Sequence, residues 1–173
     1  KLFLTFIIPI GILFVMQIPM NWVPDEDSHM WKTYDISLGN LITPFGENNE
    51  GNIYVPQEIL DLSLEKEKFT YSAIHKHFEK KADYENLVPV QTIAKTYCPI
   101  NYMPGTIMFS ICRAFNINIL LACYIIRLIN FIIFMIVGYY CIKIIPFGKL
   151  LLAIYMFLPM IIQEAASLSA DSF

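Results

Sequence analysis

Charge is what this sequence has least of. Of its 173 residues 16% are charged against 56% hydrophobic, and the mean hydropathy is +0.52. A soluble domain carries about a quarter charged residues. Here, moreover, the apolar residues are gathered into blocks, so the chain reads as a membrane protein. Concentrated positive charge is also missing. The 12 Lys and Arg are dispersed against 15 Asp and Glu, for a net charge of −3, which excludes the electrostatic footprint of a nucleic-acid binder. Cys98, Cys112, Cys123 and Cys141 are scattered. With no CxxC pair and no His at ligand spacing they indicate neither a zinc site nor a disulfide framework, and they read as small apolar residues. The chain opens at Lys1 without Met and closes at Phe173, the pattern expected of a piece of a longer protein.

What is there, first, is a run from Leu2 to Met20 whose clearly polar side chains are Thr5 and Gln17. At helical rise it covers about 28 Å, enough to span a bilayer. It exceeds a signal-peptide core and no A-x-A site follows, so a retained span is expected over 1–21. Pro9 and Gly11 are expected to kink it, and Trp22 stands where an interfacial anchor belongs. Leu120–Ile142 and Leu150–Ser169 are also long enough to cross. The three spans are therefore placed near 2–21, 120–142 and 149–170. The lysines of the short Lys143–Lys149 loop, with Lys1, assign that side to the cytoplasm and residues 22–119 to the outside, forming one large external loop.

Within that loop, Pro24-Asp25-Glu26-Asp27-Ser28-His29 sets three carboxylates and an imidazole just past the first span. Two readings stand: a substrate or ion site at the membrane surface, or a solvated helix start with Asp27 or Ser28 as N-cap. Met30, Trp31, Tyr34 and Leu38 recur on one helical face, with Lys32 and Asp35 off it. An amphipathic helix over about 27–38, lying in the headgroup plane and ending at Gly39-Asn40, is predicted. Residues 40–96 hold most of the charge and form a polar extramembrane insertion. It is expected to contain an exposed turn at 46–51, a short strand at Ile53–Val55, and one or two helices between Leu60 and Tyr84. His75 and His77 point apart on a helix and have no third ligand nearby, so a solvated face outweighs a metal site there. From Pro104 to Phe115 a helix covers about 18 Å, too short to span. It is read as a second interfacial or re-entrant element, with Arg113 near its end.

Polar residues inside the spans need reasons. Arg127 lies about two turns into its helix, where it either snorkels to the surface or meets an anion, a phosphate or one of the outer acids; contact with an anionic group is expected. Glu164, Ser167 and Asp171 make an i, i+3, i+7 row that turns two acids toward one cavity, and Pro159 is expected to bend the same helix. Asp25 and Asp171 are expected to face one cavity at the outer boundary.

The motifs Pro24-Asp25-Glu26 with His29, Tyr97-x-Pro99-x-x-Tyr102-x-Pro104, Arg127-Leu128-x-Asn130, and Pro159-Met160 with Ala165-x-Ser167-x-x-Ala170-Asp171 run in order along the chain. Together they resemble the N-terminal part of the DUF2142 family of bacterial multi-pass membrane proteins, which is similar to the C-type (GT-C) glycosyltransferase superfamily. The resemblance implies an all-α membrane protein, the N-terminal part of a GT-C-like multi-helix bundle in the bacterial plasma membrane with its active face external. It implies a polyprenyl-phosphate-linked sugar as donor, a glycan acceptor and contact with membrane lipid. Catalytic roles would fall on Asp25, Glu26 and Asp171, and substrate contacts on Asp27, His29, Tyr102, Arg127 and Glu164. In an inverting transfer a carboxylate, Asp25 or Asp27, removes the acceptor proton while a cation, Arg127, steadies the departing phosphate. His29 is a candidate proton donor. A Mg or Mn ion among Asp25, Glu26 and Asp171 is the alternative. No matching motif covers 46–90. A transporter or flippase of a lipid-linked substrate, and a non-catalytic scaffold, are the competing readings. The first predicts interrupted helices and internal repeats.

Overall fold

A computed structural model describes residues 2–43, 52–64 and 71–170. The chain is mostly helical. α1 is Leu2–Gln17, α2 Glu26–Ser37, β1 Ile53–Pro56, α3 Gln57–Leu64, α4 Tyr71–Glu79 and β2 Leu87–Val90. Two single turns of 3-10 helix, Ile93–Thr96 and Pro99–Tyr102, lead into α5 (Met103–Ala114). α6 (Ile119–Ile144), α7 (Lys149–Met156) and α8 (Pro159–Ala165) follow. α6, with 26 residues, is the one helix among those described that is long and apolar enough to cross a membrane. Its rise of about 39 Å exceeds the roughly 30 Å hydrocarbon core.

α1 and α6 run antiparallel. A Cβ on Gly11 would come within 1.8 Å of the Phe131 ring, so glycine there lets the two helices close, and at the other end Phe3 reaches ordinary contact distance of Gly138. Phe3 also meets Phe157 edge to face at 5.7 Å. One end of the bundle therefore carries the start of α1 and Lys143, and the other carries Gln17 and Arg127. Ile7, Val15, Phe131, Ile162, Ala165 and Ala166 form its apolar core.

The third span differs from expectation. Instead of one helix over 149–170, the chain forms α7 and α8, of 8 and 7 residues. Leu158 between them is extended (φ −60°, ψ 131°), because a residue before proline is pushed out of the α region and Pro159 has no N–H to give. Neither piece is long enough to cross alone. The Glu164–Ser167–Asp171 row is also not helical. α8 stops at Ala165, and the Ser167 hydroxyl donates to the Glu164 carbonyl at 2.7 Å, turning the chain. Asp171 lies outside the described residues.

A second difference concerns α2. The expected headgroup-plane helix is buried on nearly every side, with Glu26, His29, Met30, Lys32, Thr33, Tyr34, Asp35, Ile36 and Ser37 all inside. It packs against α5, β1 and the first 3-10 turn. Polar residues tolerate this because they satisfy one another. Lys32 donates to the Leu41 carbonyl at 3.1 Å and lies 3.9 Å from Asp35, which accepts from Asn40 and Thr43. Burial lowers the Lys32 pKa, and Asp35 opposes the shift.

The strand expected at 53–55 is present and pairs antiparallel with β2, Ile53 opposite Val90 and Pro56 opposite Leu87. The chain is thus not wholly α. Where one or two helices are expected between Leu60 and Tyr84 the structure has α3, which begins earlier at Gln57, and α4; the turn expected at 46–51 lies outside the described residues. α5, close to the predicted 104–115, forms a hairpin with α6. Gly105 lets it approach Thr33 and Ile126, whose methyls would stand 2.7 and 3.1 Å from a Cβ there.

Candidate functional site

Four segments far apart in the sequence meet at the Arg127 end of the bundle. After α1 the chain turns through Ile18–Pro24, using a left-handed Asn21 (φ 62°), and enters α2 through a second left-handed residue, Asp25 (φ 57°). Asn and Asp bear this conformation better than other side chains. Asp25 is the N-cap residue and makes no side-chain capping bond, which corrects the expectation of Asp27 or Ser28 as cap. It is exposed, as is Pro24. Asp27 is half-buried and accepts from the Ser28 N–H at 2.7 Å.

Glu26 faces the other way. It is 1% exposed and Arg127 0%. Arg127 Nε donates to Glu26 Oε1 at 2.7 Å and Nη2 to Oε2 at 2.6 Å, a bidentate fork of the kind that planar guanidinium makes and ammonium cannot. The same guanidinium donates to the carbonyls of Ile18 at 2.6 Å and Pro19 at 3.0 Å, just past the end of α1. Glu26 accepts further from the backbone N–H of Asn21 at 2.8 Å and Leu168 at 3.1 Å. One ion pair thereby ties the exit of α1, the start of α2, α6 and the segment after α8. Arg127 contacts an anion, and that anion is Glu26. Both Glu26 oxygens are doubly engaged, so this carboxylate is not poised as a base.

Three residues along α2, His29 is 5% exposed and its Nδ1 lies 2.7 Å from the Tyr102 hydroxyl. Its ring is flanked by Tyr97 and Tyr102, each at 5.8 Å between centroids. Tyr102 is buried with Ile36 and Ala170, so the residue preceding Asp171 packs beside the His29 partner. Asn130 donates to the Ser167 carbonyl at 2.9 Å. Glu164 is half-buried and its backbone carbonyl receives the Ser167 hydroxyl. The sequence reading missed Asn21, buried at 5% with neither amide atom hydrogen-bonded among the described residues. The signal was an Asn at the end of an apolar run, where a left-handed turn is needed.

Among the described residues no three of His, Cys, Asp and Glu gather as a metal-holding group. In α4, exposed His75 lies 3.4 Å from Glu79, whereas His77 is buried 3.9 Å from Glu58. The solvated face expected for both histidines thus holds for His75 alone. Beside the Arg127 end, a groove of about 500 Å³ is lined by Leu13, Phe14, Gln17, Ile18, Pro19, Trp22 and Gln163.

A family model described as "Predicted membrane protein (DUF2142)" matches residues 8–173. No curated protein and no solved structure matches the chain.

Proposed function

The chain belongs to the DUF2142 family of predicted membrane proteins, and from that premise we propose that it serves a membrane glycosyltransferase activity. In this reading it transfers a sugar from a polyprenyl-phosphate donor to a glycan or lipid acceptor at the outer face. The observation that carries the reading is the convergence of four separated segments on one end of the bundle, through Glu26–Arg127 and His29–Tyr102. That convergence leaves Asp25 exposed and held in a left-handed conformation, which a chain keeps where the surroundings over-determine it, often at a site of function.

The roles follow from which groups are already engaged. Asp25 is the base: it takes the proton of the acceptor hydroxyl as that oxygen bonds to the anomeric carbon and the carbon–oxygen bond to phosphate breaks. The electron pair leaves with the phosphate. Four of the five N–H donors of Arg127 are taken, so Arg127 acts mainly by holding α2, and with it Asp25 and His29, in place. His29 and Tyr102 are the proton-carrying couple nearest the leaving group. The carboxylates open to a Mg or Mn ion are Asp25 and Asp27. Asp171, next after Ala170, is the second acid. The groove from Leu13 to Trp22 accepts the isoprenoid chain.

The test is Asp25→Asn in the full-length protein in membranes, with transfer of labelled sugar from polyprenyl-phosphate donors as readout. Loss of turnover by about 100-fold or more, the usual scale of a general base, with unchanged yield of folded protein, is expected. Unchanged turnover removes Asp25 from the reaction. The break between α7 and α8 favours a second reading, a lipid-linked-substrate transporter, since interrupted helices line transport paths. Vesicle flux without sugar transfer would select it.

A further inference from the structure

The opposite end of the bundle carries a second apolar groove, of about 270 Å³, between α6 and α7. Its walls are Phe134, Val137, Gly138, Cys141, Leu152, Tyr155 and Met156. Gly138 brings α7 close, since a Cβ there would stand 1.8 Å from the Met156 methyl. At its mouth the last turn of α6 and the first of α7 present Lys143 and Lys149, both exposed, with the Lys149 ammonium folded back to 3.4 Å from the Lys143 carbonyl. From Leu128 to Gln163 these two lysines are the only charged residues, so no acid accompanies them in this stretch of chain. The turn joining the helices exposes Ile144 (78%) and Phe147 (81%). Apolar side chains interleaved with uncompensated lysines suit the headgroup layer of an anionic membrane.

We propose that this groove binds an anionic phospholipid, one acyl chain lying between α6 and α7 and the headgroup phosphate meeting Lys143 and Lys149. The match is of charge and of level. Lys149 stands one turn before Leu152 on the α7 face that lines the groove. Lys143, two residues beyond Cys141, lies at the same end with a stem long enough to reach round the helix, so an acyl chain held there leaves its phosphate at the lysines. A zwitterionic lipid offers the same chain, but its own cation opposes the lysines. The site is independent of the polar end of the bundle and of any transfer reaction there.

The experiment is native mass spectrometry of the full-length protein released from nanodiscs of equal phosphatidylglycerol and phosphatidylcholine. At least a threefold enrichment of bound phosphatidylglycerol is expected. Lys143→Gln with Lys149→Gln should return the ratio to one without altering helical content. Val137→Trp, which fills the groove, should lower the retention of both lipids, and Leu128→Trp, on the same helix outside the groove, should leave it unchanged. Equal retention of the two lipids by the unmodified protein, or an enrichment that survives the double Gln variant, overturns the proposal. Both lysines are exposed, so the double variant decides the matter even where Val137→Trp fails to fold.

Discussion

Two buried carboxylates, Glu26 at the polar end of the bundle and Glu58 in the lobe built on α3 and α4, are 1% and 6% exposed, yet burial has been solved differently for each. Glu26 holds a bidentate Arg127 and two backbone N–H groups. Glu58, on α3, faces His77 of α4 at 3.9 Å, and its Oε1 has no hydrogen bond among the described residues. Burial accordingly pushes the Glu58 pKa up to about 7, Lys80 pulling it down and Asp61 and Asp83 adding to the rise. The contrast teaches that burial alone does not fix what an acid does. A fully paired carboxylate is a structural tie, and a half-paired one is a titrating group.

The largest expected effect comes from breaking the tie. Glu26→Gln and Arg127→Met each leave a buried partner uncompensated, at a cost of about 3–5 kcal/mol. Since removing both charges leaves no orphan, Glu26→Gln with Arg127→Met should cost less than the sum of the two. Thermal unfolding in detergent measures this. Additive losses would mean that the pair is not coupled as its geometry states.

The next effect is pH-dependent and belongs to Glu58. Its folded pKa lies above the ordinary 4.5, so the folded lobe holds a proton that the unfolded chain releases. Stability is then complete below about pH 4.5 and is lost as pH rises toward 7, by roughly 3 kcal/mol. Glu58→Gln should flatten that slope. Hydrogen exchange of α3 and α4 amides across pH 4.5–8 reads it directly. A slope unchanged in the variant would assign the titration to another group.

Much of this was legible in the sequence. Block hydropathy placed α1 and α6, and the length shortfall at 104–115 kept α5 from being called a span. The sequence leads one to expect the first-loop acids to meet Arg127 and the segment after the third span, but not which acid does so, because nothing local says that Glu26 turns inward while Asp25 and Asp27 on either side do not. The left-handed Asp25 decides that, and it is a property of the turn from Ile18 onward. α2 looked amphipathic for a related reason. Lys32 and Asp35 read as a wet face, whereas their partners Leu41 and Thr43 lie outside the helix and neutralise them inside the fold. The break at Leu158 follows from Pro159, whose effect was underestimated as a bend.

Asp25 sharpens the comparison from the other side, as a carboxylate that is exposed and has no ion pair among the described residues. Its φ of 57° is costly for a residue with a Cβ, though less for Asp than for most. Glycine adopts the same conformation without that cost, and it removes the carboxylate. Asp25→Gly should therefore stabilise the fold, or leave it level, by about 0.5–1 kcal/mol once the greater freedom of the unfolded chain is set against the relieved strain. If Asp25 is the base, the same change abolishes turnover, the trade expected where a strained residue is kept for chemistry. Asn is the control: it tolerates the left-handed region equally and cannot take the proton, so Asp25→Asn should lose turnover with stability unchanged. A loss of stability on Asp25→Gly would show that the side chain contributes a contact to the start of α2, and Asp25 would then belong with Glu26 among the structural ties.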